Sequence, residues 1–194
     1  MRKESVQHIW QQYQKEIADN DYYYARSCIR QTILPGSEEA FLNIVRNDLG
    51  RKVLDDPEQT TCTGIGYHSS IVPLQTTMTV VARIFALMTE AGYKNFVPSC
   101  VTSFGVYNEI LETWHEFPET EAKTRELLYK ATKKEFKIPE NLVHTSDIIY
   151  KFRKEIAAKS KFKLVNAKTG KPLRVVEHIG CHYAKIFPHK GVGG

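Results

Sequence analysis

Residues 22–28 read Tyr22-Tyr23-Tyr24-Ala25-Arg26-Ser27-Cys28, and residues 95–100 read Asn95-Phe96-Val97-Pro98-Ser99-Cys100. The first opens with three tyrosines, the aromatic content of a strand, the second reads as a short strand at 95–98, and each stops at a cysteine. Between and beyond them the pattern turns helical. Pro35-Gly36-Ser37 opens a helix with Glu38 and Glu39 in its electropositive first turn and Phe41, Ile44, Val45 and Leu49 on its apolar side, and Gly50 closes it. A short strand at 52–55 leads into a turn-rich loop, Asp56 to Gly66, that carries Cys62. A long helix is expected from Ser70 to Ala91, with Pro73 in its first turn and Gly92 as its cap. Another follows Cys100 through Val106, Ile110, Leu111 and Trp114.

Strand and helix alternating in this way predict an α/β fold, a Rossmann-like parallel sheet with right-handed crossovers and flanking helices. Ligand sites in such sheets gather outside the carboxyl ends of the strands. Cys28, Cys62 and Cys100 all fall at those ends or in the loops beyond them, so three cysteines far apart in sequence are expected on one edge of the sheet.

Working outward, helices are expected at 3–18, on the spacing of Val6, Ile9, Trp10, Tyr13 and Ile17, at 120–136, and at 146–158 with Ile148, Ile149, Phe152 and Ile156 inward. A basic hairpin follows, with strands at 162–165 and 173–176 around a turn at Lys168-Thr169-Gly170-Lys171. Its second strand leads to Ile179-Gly180-Cys181-His182-Tyr183, again an apolar strand, a small residue and a cysteine. Cys181 thus stands where Cys28 stands, and the segment reads as the start of an internal repeat.

Composition excludes several classes. The chain has 194 residues, 42% hydrophobic and 25% charged, with 8 Pro and 11 Gly, ordinary for a folded globular protein. Its most apolar stretch, 71–88, is broken by Pro73, Gln75, Thr76, Thr77, Thr79 and Arg83, too polar for the ~20 apolar residues of a membrane helix. The N-terminal segment lacks the apolar run of a secretory signal, so a cytoplasmic location is expected. Lys and Arg number 27 against 22 Asp and Glu, a net charge of +5. The excess gathers after Lys151, without zinc-finger or RNA-recognition spacing, and nucleic acid is not an expected partner. Gly64 and Gly66 match no dinucleotide or phosphate-loop fingerprint.

Four cysteines in such a chain suit metal binding, redox chemistry or packing better than structural disulfides. Iron–sulfur clusters need several thiolates around one cavity and accept them from separate loops. Zinc usually takes two sulfurs from one Cys-x-x-Cys turn, which this sequence lacks; a mixed site completed by His68, His178 or His182 is the weaker alternative. Free cysteine is also a common small core residue. Both readings stay open for Cys28 and Cys100, while Cys62, among Thr and Gly, reads better as a site residue.

The order Cys28, then Cys62-Thr63-Gly64, then Val97-Pro98-Ser99-Cys100 before a helix, then His178-Ile179-Gly180-Cys181-His182-Tyr183 resembles the cysteine-rich CCG-domain family, nearest to the B subunits of heterodisulfide reductases and their bacterial relatives. The likeness runs from about Tyr22 to Tyr183. It implies two cysteine sets, each of five thiolates holding a non-cubane [4Fe-4S] cluster, with a disulfide substrate cleaved between them. Matched position by position, Cys28 is the lone first cysteine, Cys62 the first of the Cys-Cys pair, Cys100 the second of the later pair, and Cys181 the first of the second set. The resemblance therefore implies a first CCG-like unit over 1–160, and over 161–194 a basic hairpin with the start of a second.

Two positions depart from the pattern. Thr63 stands where the second cysteine of Cys-Cys-Gly belongs, and Val97 where the first of Cys-x-x-Cys belongs. Threonine is a poor iron ligand and valine is none, so the first set is degenerate. Cys28, Cys62 and Cys100, with His68 or an open iron as the fourth position, remain a set for a cubane cluster; an empty first site is the alternative. The resemblance implies a subunit of an iron–sulfur oxidoreductase hetero-oligomer, partnered by a ferredoxin-like iron–sulfur subunit and a flavoprotein subunit, acting on a disulfide or thiol. A non-catalytic scaffold of such a complex is the second expectation.

Overall fold

The computed structural model describes residues 17–160, 165, 166 and 168–174. The helix expected at 3–18, most of the basic hairpin and the whole segment around Cys181 lie outside these residues. In the described part of the hairpin, Val165 bridges Pro172, and Gly170 takes φ +65°, a turn conformation that suits glycine.

Four parallel strands form one sheet: β1 (Tyr22–Ala25), β2 (Val53–Asp55), β3 (Asn95–Pro98) and β4 (Asn141–Leu142), in the order β2-β1-β3-β4. The fold is α/β and Rossmann-like. The strand order reverses between β1 and β3, which makes the space outside their carboxyl ends the topological switch point. Tyr22 pairs with Asn95, and Ala25 with Pro98, so Cys28 and Cys100 follow the carboxyl ends of neighbouring strands, one position out of register.

Strand periodicity divides the core in two. Tyr23 and Phe96 face one layer; Tyr22, Tyr24 and Val97 face the other. All four residues of β1 are buried, as expected of an interior parallel strand covered on both faces. The first layer holds α4 (Leu74–Glu90), α5 (Val101–Glu116) and α6 (Pro118–Thr132), preceded in the chain by α1 (Cys28–Ile33), α2 (Pro35–Asn43) and the single helical turn and a half of α3 (Gly64–His68). Phe85 of α4 lies at the layer's centre, edge-on to Phe96 at 5.1 Å and near Tyr107, Trp114 and Phe136. On the opposite face α2, extended by a π-helical turn at Ile44–Asp48, packs Phe41, Leu42 and Val45 beside Val143, Ile148 and Phe152 from the segment that contains α7 (Thr145–Lys151) and α8 (Arg153–Lys159).

Several boundaries differ from the sequence reading. The helix expected from Ser70 begins at Leu74, because Pro73 holds an extended N-cap conformation and Ser70 turns the chain through φ +57°. A separate α3 precedes it. The 120–136 helix runs instead from Pro118 to Thr132 and ends where Lys133 takes φ +60°. The 146–158 helix is two short helices separated at Phe152.

Candidate functional site at the carboxyl edge of the sheet

Ser27 and Ser99 prepare the two cysteines at the switch point. Ser27 leaves β1 in an extended conformation and caps α1, its hydroxyl accepting from the Arg30 N–H at 3.1 Å, and Cys28 is the first helical residue. The ladder carries on past β3, where the Ser99 N–H donates to the Ala25 carbonyl at 3.2 Å; Cys100 is then the extended N-cap of α5. Between them lies the carboxylate of Glu38, buried. Its Oε1 accepts from the Ser27 N–H at 2.9 Å and from the Ser99 hydroxyl at 2.7 Å, so one oxygen ties the end of β1 to the end of β3. In the sequence Glu38 reads as a first-turn helix residue; nothing there reveals that it reaches across to two strand ends.

The loop that bears Cys62 is fastened on three sides. Gln59 completes the edge of β1, its amide donating to the Tyr24 carbonyl at 3.1 Å and accepting from the Arg26 N–H at 3.0 Å. Arg26 in turn forms a two-pronged ion pair with Asp55 at the end of β2. Thr63 bonds to Thr77 of α4 at 3.0 Å, and Cys62 itself sits against α5, its Sγ 3.0 Å from the Ser103 hydroxyl. The Gly64 N–H also donates to that sulfur at 3.3 Å. Gly64 packs closely here, since a Cβ there would stand 3.1 Å from Val106 and 3.2 Å from the Cys62 sulfur, tighter than an ordinary contact.

Burial pushes the Cys62 thiol above its ordinary range; the Ser103 and Gly64 hydrogen bonds oppose this, and the neighbouring charges of Cys100 and Cys28 add to it. Buried Tyr107, beneath the site, is raised by its burial and then by the same three cysteines. Cys28, Cys62 and Cys100 thus share one electrostatic neighbourhood. Their accessibilities differ: Cys28 is exposed, Cys100 partly buried and Cys62 buried. His68 ends α3 on the surface, its ring 5.2 Å from that of Tyr67.

The two departures from the five-cysteine pattern have physical counterparts. Thr63 adopts φ +57°, a left-handed conformation that is costly for a β-branched residue, and its hydroxyl is engaged by Thr77. Val97 is fully buried in the apolar layer with Tyr24 and Val143, on the opposite face from Phe96. Among the described residues no group of three His, Cys, Asp or Glu side chains is close enough to hold a metal ion. The residues here do not fit a five-thiolate cluster: two of its positions are a hydrogen-bonded threonine and a core valine. Cys181 lies outside the described residues. No described helix is long and apolar enough to cross a membrane.

No protein-family model matches the chain. It is 25% identical over 181 residues to the B subunit of the ferredoxin:CoB-CoM heterodisulfide reductase of Methanosarcina acetivorans, a match that covers 89% of this chain and 55% of that protein. The chain spans about half the length of the curated relative it matches. With its α/β fold and its three cysteines at the switch point, the chain resembles this heterodisulfide reductase component over most of its length.

Proposed function

We propose that this chain is a subunit of a heterodisulfide-reductase-like oxidoreductase complex that moves electrons to or from a disulfide or thiol substrate. The first unit, over 1–160, acts as the docking and structural half, and iron–sulfur chemistry belongs with the set that begins at Cys181. Its partners are a ferredoxin-like iron–sulfur subunit and a flavoprotein subunit. The observation that carries the reading is the convergence of Cys28, Cys62 and Cys100 at the switch point of a sheet whose sequence aligns with a heterodisulfide reductase component. The relative's name itself couples ferredoxin to a disulfide. Thr63 and Val97 favour a first site without a five-thiolate cluster.

The test is iron and acid-labile sulfide per chain in anaerobically purified and reconstituted protein, with paramagnetic resonance spectra of both oxidation states. Near-stoichiometric iron that is lost in Cys181→Ser and kept in Cys62→Ser is the expected result. Iron lost in Cys62→Ser and kept in Cys181→Ser overturns the division between the two sets. A folded chain without iron supports the scaffold reading instead.

A further inference from the structure

On the face of the sheet away from Phe85, α2 and α7 leave a groove of about 610 Å³ between them. Its walls are Ala40, Phe41 and Ile44 from α2 and its π-helical turn, and Ile149, Tyr150 and Arg153 from α7 and α8. The lining is mainly apolar. Arg153 donates to the Tyr150 carbonyl at 2.7 Å and its guanidinium lies 4.1 Å over the Tyr150 ring, so charge and ring stand as one wall. Ser37 and Ser146, in the first turns of the two helices, mark the other end. Both helices follow a strand of a parallel sheet, so the groove runs with them from the carboxyl edge towards the amino edge.

The chain ahead of β1 arrives at the amino end of this groove. Ile17 is buried in the same layer as Phe41, Ile148 and Phe152, and Ala18, Ile44 and Ile149 pack against that layer. The Ile17 carbonyl accepts from the ammonium of Lys151, the last residue of α7, and Lys151 also pairs with Asp19 at 2.7 Å. Residue 17 is therefore fastened two residues along α7 from Ile149. Reading back from it, Tyr13, Trp10, Ile9 and Val6 share its helical face, while Glu4, His8, Gln11 and Lys15 fall opposite. At 1.5 Å per residue, Val6 to Ile17 spans about 16 Å, close to the ~13 Å of the nine residues of α2.

We propose that residues 1–16, which lie outside the described residues, form an amphipathic helix that occupies this groove. It runs in the direction of α2 and α7, with Tyr13 towards Arg153 and Val6 towards Ser37 and Ser146. The buried Ile17 sets the rotation of the apolar stripe, because positions four and seven residues before it lie on its side of the helix. Trp10 and Tyr13 bring large, rigid apolar surfaces to a wall of matching character. The chain's own segment is favoured over a separate partner because it is joined at the mouth of the groove, where its effective concentration is high.

The experiment uses the full chain with Tyr13 replaced by the photo-reactive benzoylphenylalanine. Equal amounts of isotopically heavy and light protein are mixed and irradiated, and the cross-linked peptides are mapped by mass spectrometry. Links within one chain to the stretches 40–44 and 149–153 are the expected result. Ala40→Glu, at an exposed position that lines the groove, is expected to lower their yield at least tenfold with cooperative unfolding retained. Tyr129→Glu, on α6 across the sheet, is expected to leave the yield unchanged. Links that join heavy to light chains place the groove between two copies and overturn the proposal. So do links to other stretches, no link at all, or a yield that Ala40→Glu does not alter.

Discussion

The Ser103 hydroxyl lies 3.0 Å from the Cys62 sulfur, joining the first turn of α5 to the loop after β2 across the carboxyl edge of the sheet. This is the contact that holds Cys62 inward while Cys28 remains exposed. Ser103→Ala removes a hydrogen bond that stabilises the charged form of a thiol already raised by burial, so Cys62 becomes harder to ionise. The expected loss of stability is about 1 kcal/mol by denaturant titration. In a Cys28→Ser/Cys100→Ser background, alkylation of Cys62 should need higher pH than with Ser103 present; an unchanged pH profile would show that the hydroxyl does not act on the sulfur.

Gly64→Ala tests the closeness of that packing. The added Cβ meets Val106 at 3.1 Å and the Cys62 sulfur at 3.2 Å, and both belong to elements held from several sides. Overpacking of this kind costs about 1–3 kcal/mol, read as a lower denaturation midpoint at unchanged slope.

Glu38→Ala leaves a backbone N–H and a serine hydroxyl without their acceptor in a buried place. A loss of about 2–4 kcal/mol is expected. Glu38→Gln keeps a carbonyl oxygen in position and should cost about 1 kcal/mol. Equal losses in the two variants would contradict the role assigned to the shared oxygen.

His144 supplies a pH dependence. The ring is buried against Phe104, and its Nδ1 accepts from the Ser146 N–H at 3.2 Å. Burial, with the nearby charge of Arg30, lowers its pKa from 6.5 to about 4, against a small opposing contribution from the Ser99 backbone. Between these values the unfolded chain binds the proton and the folded chain does not. Stability is therefore full above pH 6.5 and falls as pH drops towards 4, by up to about 3 kcal/mol. Denaturant midpoints measured from pH 7 to 4 check this, and His144→Phe should flatten that part of the profile.

Much of the architecture could be read from local pattern. The three-strand, three-helix alternation through Trp114 is stated by periodicity, and a parallel sheet follows because each helix carries the chain back across the sheet so that the next strand runs the same way. The expectation that Cys28, Cys62 and Cys100 share one edge needs only the direction of the strands. Strand β4 was not legible: Asn141 and Leu142 make too short a run to carry a period, and they extend only by pairing with Asn95 and Phe96. Helix α1 was hidden in the same way, six residues with no buried side chain among them.

The linear order of residues carries the fold class, the positions of the cysteines along the strands, and the two departures at Thr63 and Val97 that distinguish this chain from the five-cysteine pattern. Which cysteine is open to solvent and which is sealed emerges only once the elements are packed together. So do the clamp of Glu38 on two strand ends, the bond from Thr63 to Thr77, and the place of Val97 in the apolar layer under α2. The reason lies in range. Periodicity records the face on which a residue lies within its own element, whereas the exposure of a thiol and the partners of a buried carboxylate depend on residues brought together from β1, β3, α2 and α5.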